Sequence, residues 1–269
     1  AHYGADGGDL ITAAATRGVA HPSGYPFYLL LARLFQYLPV GSLAFRTSLM
    51  SACAAALAAV LVYRLVASSL SRAPQKHLAG AVSAIAFGLV PLVWSQAVIT
   101  EVYALHGLFV ALIIYFSSVS PVSPDINLAP HRRDLFLGLT FGLSLSNHLT
   151  TLLLLPVLFS STLFRQGGHV RLDWRTVLRR LGWLGVGLLP YLSLPLRALY
   201  WPPVNWGNPV TLDGFTWLVT GRLYQGQVVA LTASVLLERV QALFLLLLHQ
   251  LGVFGLLAGF AGMIVFFTP

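Results

Sequence analysis

LAFRTSLMSACAAALAAVLVYRLV, residues 43 to 66, is long and apolar enough to cross a bilayer as one helix, since about 20 such residues span the hydrocarbon. It leads into Arg64, Arg72, Lys76 and His77, a basic loop of the kind retained on the cytoplasmic side. The polar segment before it then lies outside. Composition agrees with a membrane protein. Of 269 residues 57% are hydrophobic and 9% charged, so the charged surface of a soluble domain is missing. The net charge of +8 is gathered in short loops between apolar runs, which is the positive-inside pattern and argues against nucleic acid as a partner. The single Cys53 lies within the apolar run, which excludes a disulfide framework and a cysteine metal site.

Alternating the crossings onward, residues 77–94 return outward and residues 95–101 form an outer turn with Trp94 at interface depth. Residues 103–119 go back in to a loop with His131, Arg132 and Arg133. The run 135–164 is flanked on both sides by arginines, so it makes an even number of crossings. We expect two short helices turning near Asn147, with their tip in a solvated cavity; one long tilted helix is the rival reading. Residues 181–199 cross outward, 200–230 form an outer loop rich in Trp, Pro, Gly and Asn, and 231–267 hold one or two further membrane helices, with Glu238 and Arg239 as a candidate pair. The fold class is therefore an all-α polytopic membrane protein forming a single domain over 1–269, with an opening outer segment 1–40 and membrane helices over about 43–199.

The opening stretch GADGGDLITAAATRGVAHPSGYP, residues 4–26, holds two of only eight acidic residues. Glycines at 4, 7 and 8 permit positive φ and close approach to a ligand, which places Asp6 in a tight, exposed turn. Asp9 stands just before a short helical run, Leu10 to Thr16, where capping its free N–H groups is the structural alternative to chemistry. His21 begins the turn HPSGYP, and Pro26 suits the first position of an amphipathic helix that lies along the interface and stops at Pro39. The chain starts in a polar loop and stops after an apolar run, which reads as a piece of a longer protein.

This topology collects Asp6, Asp9, His21, Glu101, Asn147, His148, Arg197 and Arg222 on one side of the membrane, with Tyr25 and Trp206 beside them. Ionisable groups at membrane depth are costly and mark pathways or reaction sites. Each also has a structural alternative. Glu101 suits a helix start, His148 an interhelical hydrogen bond, His21 a stabilised turn, and Arg197 and Arg222 anchorage to lipid headgroups. As a set, a carboxylate base opposite cations suits group transfer from a lipid phosphate: arginines hold the phosphate and Asp6 takes a proton from an acceptor hydroxyl. Asp, Glu and His together also raise a divalent cation, although no tight ligand spacing supports one. A transporter or lipid flippase coupled to protons or cations is the alternative function, against which the carboxylates lie in outer loops and not at the bilayer midplane.

GADGGDLITAAATRGVAHPSGYPFYLLLARLF, PLVWSQAVITEVYAL, GLSLSNHLT and LLPYLSLPLRALYWPPVNWGNPVTLDGFTWLVTGRLYQ occur in this order and cover most of the chain. Together they resemble a GT-C type membrane glycosyltransferase family, which comprises bacterial multipass proteins and an animal endoplasmic-reticulum protein O-mannosyltransferase acting on plexin-type receptors. The resemblance implies an inverting transferase that uses a polyprenyl-phosphate sugar donor and a protein or glycan acceptor on the outer face, in a bacterial plasma membrane. It implies Asp6 as base within D-x-G-[DE]-L, with Asp9 and Glu101 as further catalytic carboxylates. Arg197, Arg222 and His21 would hold the donor phosphate, and Asn147, His148, Tyr25 and Trp206 would line the substrate cleft. Such modules begin with one more membrane helix than this chain shows.

Overall fold

The computed structural model describes residues 6–70, 73–118, 129–160, 162–166, 169–226 and 232–267. Gly4, Arg72, Val119, Val229 and Leu231, named above, lie outside them. Ser42 opens the long helix α3 (Leu43–Ser69), its hydroxyl accepting from the Phe45 amide at 3.2 Å. Two short helices precede it, α1 (Gly7–Thr16) and α2 (Pro26–Gln36, with Pro26 at its first position). Leu10, Ala13 and Ala14 of α1, Tyr28, Leu29 and Ala32 of α2, and Met50 and Ala54 of α3 share one buried core. Polar side chains of α2 tie the three together: Gln36 donates to the Ile11 carbonyl and to Thr47, each at 3.1 Å, and Arg33 donates to the Ala14 carbonyl at 2.9 Å. The apolar face of α2 is split as a result. Leu29 is buried inward, whereas Leu30 and Leu34 are exposed.

The return from α3 is not the single crossing expected over 77–94. Helix α4 (Lys76–Leu89) breaks at Val90 and α5 (Pro91–Ala97) leaves at an angle of 67°. Pro91 has no N–H to continue the ladder and biases Val90 to φ −56°, ψ 128°, outside the helical region. Helix α6 (Tyr103–Ser118) packs on α3 and on α7 (Pro130–Leu145). The run 135–164 turns at residues 146–148 into a 3-10 turn (Leu149–Leu154) and α8 (Leu155–Ser160), so the two-helix reading holds and the single tilted helix does not.

A short antiparallel hairpin follows, β1 (Leu163–Gln166) with β2 (His169–Leu172), a local addition to the otherwise helical fold that was expected. Its sequence signal is two four-residue runs around Gly167-Gly168. The expected crossing 181–199 is also broken: α9 (Trp174–Gly187) is followed by a 3-10 turn at Leu189–Leu192 and α10 (Ser193–Ala198), the interruption falling at Pro190. The stretch beyond α10 carries α11 (Leu212–Val219), and α12 (Ala233–Phe267) is interrupted at Gly252. Among the described residues two helices, α3 and α12, are long and apolar enough to cross a membrane, or three if the bent α4–α5 pair is one span.

Candidate active site

Gly7 is buried where α1 begins, and a Cβ there would stand 3.4 Å from the Thr100 carbonyl. This close approach sets the N-terminal edge of α1 against the loop between α5 and α6. Asp6, immediately before it, donates its backbone N–H to the Glu101 carboxylate at 3.3 Å. Its own carboxylate makes no capping bond and is half exposed, 53% for the side chain, with the nearest cation being His21 Nε2 at 3.5 Å.

Asp9 does not cap the helix. It lies in the first turn of α1, and its carboxylate reaches sideways. One oxygen accepts from the His21 amide at 3.1 Å and from His21 Nδ1 at 2.7 Å; the other accepts from Trp206 Nε1 at 3.1 Å. Asp9 thereby fastens α1 to the HPSGYP turn and to the outer loop. The turn is closed by the Gly24 amide on the His21 carbonyl at 2.7 Å, with Gly24 at φ +82°.

Tyr25 meets the His21 ring edge-on, centroids 5.0 Å apart, and lies parallel to the His148 ring at 6.4 Å. His148 also faces Tyr103 and His106, and its Nδ1 pairs with Thr150 Oγ1 at 2.7 Å, which in turn contacts His106 Nε2 at 3.0 Å. Asn147 is fully buried and donates to the Val102 carbonyl at 3.4 Å, holding the tip of the α7 hairpin to the Glu101 loop. Tyr103 also lines an apolar cavity of about 390 Å³ between α3, α5 and α6, with Ala55, Ala58, Leu92 and Gly107.

The arginines stand apart from this cluster. Arg197 donates to the Gly18 carbonyl at 3.3 Å, beyond the C-terminal end of α1, where Arg17 and Arg33 are the charges acting on it. Arg222 is exposed and lies 3.6 Å from Asp213, on the turn that carries Tyr224.

Residues 6–170 match the family model described as the Protein O-mannosyl-transferase TMEM260 N-terminal domain. The chain belongs to that family. Among its relatives, Protein O-mannosyl-transferase TMEM260 of Mus musculus is 34% identical over 216 residues, 79% of this chain and 30% of that protein. Protein O-mannosyl-transferase tmem260 of Dictyostelium discoideum is 29% identical over 225 residues, 79% of this chain and 27% of that protein. The chain thus spans less than a third of the length of either relative. No solved structure matches it.

The electrostatics of this TMEM260-family site follow from its packing. Burial disfavours the His21 cation, but the Asp9 hydrogen bond and the charges of Asp6, Asp9 and Glu101 outweigh it and raise the imidazole above its ordinary value. Burial likewise works against the Asp9 anion, and the bonds from His21 and Trp206 prevail, lowering it. Glu101 is raised, chiefly by burial, with the Asp6 amide opposing and the Asp6 charge assisting. The Tyr224 phenol is raised by burial and then by Asp6 and Asp9, which sets it against the same carboxylates.

Both ring nitrogens of His21 face carboxylates, Nδ1 at 2.7 Å from Asp9 and Nε2 at 3.5 Å from Asp6. No group of three or more His, Cys, Asp or Glu among the described residues is placed to hold one. The divalent cation raised by the sequence therefore finds no cage here. Tyr103 and His106 were not singled out by the sequence, whereas Tyr224 was placed only in the same compartment as Asp6. The two on α6 had a usable signal: they follow Glu101 at positions 103 and 106, three apart on one helix face.

Proposed function

We propose that this chain is the membrane region of a GT-C type glycosyltransferase that moves a sugar, mannose by analogy with the names of its relatives, from a polyprenyl-phosphate donor to a protein or glycan hydroxyl. The acceptor oxygen attacks the anomeric carbon from the face opposite the phosphate, so configuration inverts. As that bond forms, the bond from the anomeric carbon to the phosphate oxygen breaks and its electron pair leaves on polyprenyl phosphate. The hydroxyl proton passes to Asp6. A phosphate leaving group needs no proton, so one base and a cationic environment suffice.

The observation that carries this reading is the division of labour among the carboxylates. Asp9 is spent on His21 and Trp206, Glu101 holds the Asp6 backbone, and of the three carboxylates that of Asp6 alone is left half exposed. Asp9 and Glu101 are accordingly positioning residues. His21 supplies a cation beside Asp6, Arg222 lies on the neighbouring turn to meet the departing phosphate, and Asn147, His148, Tyr25 and Trp206 shape the sugar cleft. The apolar cavity beside Tyr103 suits the first isoprene units of the donor. Sugar-bearing polyprenyl phosphates of this kind are used on the outer face, which we assign to the carboxylate end of the molecule in a plasma membrane.

The test is transfer by the purified protein in detergent from labelled polyprenyl-phosphate mannose to a pool of acceptor peptides and glycans. Asp6→Asn removes the base without disturbing a hydrogen-bonded side chain, so melting stays unchanged while transfer falls by about a hundredfold or more. Transfer at the wild-type rate in that variant would remove Asp6 from the mechanism.

A further inference from the structure

The two ends of α1 carry opposite charge. Carboxylates gather at its start, and some 16 Å away, at about 1.5 Å per residue from Asp6 to Arg17, three arginines gather at its end. Between the two runs a buried wall, in which the Val19 amide donates to the Val204 carbonyl at 2.8 Å and the Trp206 amide to the Val19 carbonyl at 3.1 Å. Behind that wall a cavity of about 550 Å³ is lined by Arg17, Arg197, Ser193, Tyr200 and Trp201, and no acidic residue lines it.

Part of this charge has a structural use. Arg33 caps the Ala14 and Ala15 carbonyls and Arg197 the Gly18 carbonyl, where α1 ends in about half a negative charge. Three full positive charges exceed that several times over. Arg197 commits one N–H of its five, the exposed Arg17 side chain makes no hydrogen bond or ion pair with any described residue, and the Ser193 hydroxyl is buried in the cavity wall without a partner. Guanidinium forks converging with a spare hydroxyl match the oxygens of a phosphate. The rim names its source: Tyr200 and Trp201 are 87% and 75% exposed, beside exposed Leu196 and Leu199, the composition of a membrane interface.

We propose that the cavity formed by Arg17, Arg197 and Ser193 is a second phosphate site, which seats the headgroup of an anionic membrane lipid and is separate from the carboxylate cleft. Its phosphate bridges Arg17 and Arg197, with Ser193 donating to a third oxygen and Trp201 lying at headgroup level. Occupied, it would fix the outer segment and α10 at a set depth in the bilayer.

The test is retention of phosphatidylglycerol against phosphatidylcholine by the purified protein, counted by native mass spectrometry, with inorganic phosphate as competitor. Wild type retains phosphatidylglycerol selectively; Arg17→Gln and Arg197→Gln each weaken it about tenfold, and Asp6→Asn, at the other end of α1, leaves it unchanged. Arg17 is exposed, so its variant folds even if Arg197→Gln does not. Selectivity surviving in Arg17→Gln would overturn the site. Displacement of the lipid by millimolar inorganic phosphate would overturn the lipid assignment and make the ligand a soluble phosphate. Neither outcome bears on Asp6 as base, which is read by transfer alone.

Discussion

His21 is the residue on which the carboxylates turn. Raised above 6.5 in the folded chain, it contributes stability that is fully present below about pH 6.5 and is lost as pH rises through the raised value. Asp9, lowered below 3.8, contributes stability present above about pH 3.8 and lost as pH falls through the lowered value. The pair therefore holds α1 to the HPSGYP turn best between those limits. Amide exchange over residues 10–20, corrected for intrinsic rates, should show protection falling as pH rises from 6.5 through the raised His21 value in the wild type. In His21→Gln it should be lower and flat; a wild-type profile equally flat would dismiss the imidazolium. At this scale the sequence was partly readable. Asp6 stood out for want of a capping role, and its side chain makes no capping bond at α1. Asp9 looked like a helix cap because capping is a local rule, whereas its partners, twelve and 197 positions away, are joined to it by tertiary folding alone.

Among the elements, the closest pairing is α7 with α9, and it rests on small residues. A Cβ on Gly142 would collide with the Leu184 carbonyl and lie 2.8 Å from the Gly187 backbone, and one on Gly138 would strike the Arg180 carbonyl. Two helices can approach this closely only where side chains are absent. The contact is locked at one end by buried Asp134, which accepts from Arg180 Nε and Arg179 Nε, each at 2.9 Å. Gly142→Ala should therefore destabilise the protein by about 1–3 kcal/mol. Gly182→Ala, on the open face of α9 with nothing within 4 Å, should be neutral or slightly stabilising. Thermal unfolding in detergent reads both, and equal melting of the two variants would refute the close contact. The turn near Asn147 was legible from the arginines on both flanks, which demand an even number of crossings. The breaks at Pro91 and Pro190 were missed because hydropathy averages over a window and is blind to one absent N–H, although both prolines were in view.

For the molecule as a whole, the α6–α7 pair separates charge along its length. At one end Glu101 and Val102 meet Asn147 and the Asp6 cluster; at the other Arg133 donates to the Phe116 and Ser117 carbonyls at 3.0 and 2.8 Å, close to Arg179 and Arg180 on Asp134. Sixteen residues at about 1.5 Å each set these ends some 24 Å apart, short of the roughly 30 Å of hydrocarbon. Lys and Arg bias their end to the cytoplasm, which supports the proposed outward placement of the carboxylate end. The arginines at the other end of α1 carry the opposite bias, which the proposed lipid phosphate would offset. In a Cys53→Ser background, Thr211→Cys on the exposed N-cap of α11 should react with a membrane-impermeant maleimide on intact cells, and Arg132→Cys, exposed at the start of α7, only after permeabilisation. The reverse pattern would put Asp6 on the cytoplasmic side, away from an outer-face donor, and would remove the proposed transferase reading even if the fold stood unchanged. Labelling of both sites from outside would mean that the hairpin does not cross, and that α3, α12 and the bent α4–α5 pair alone carry the chain through the bilayer.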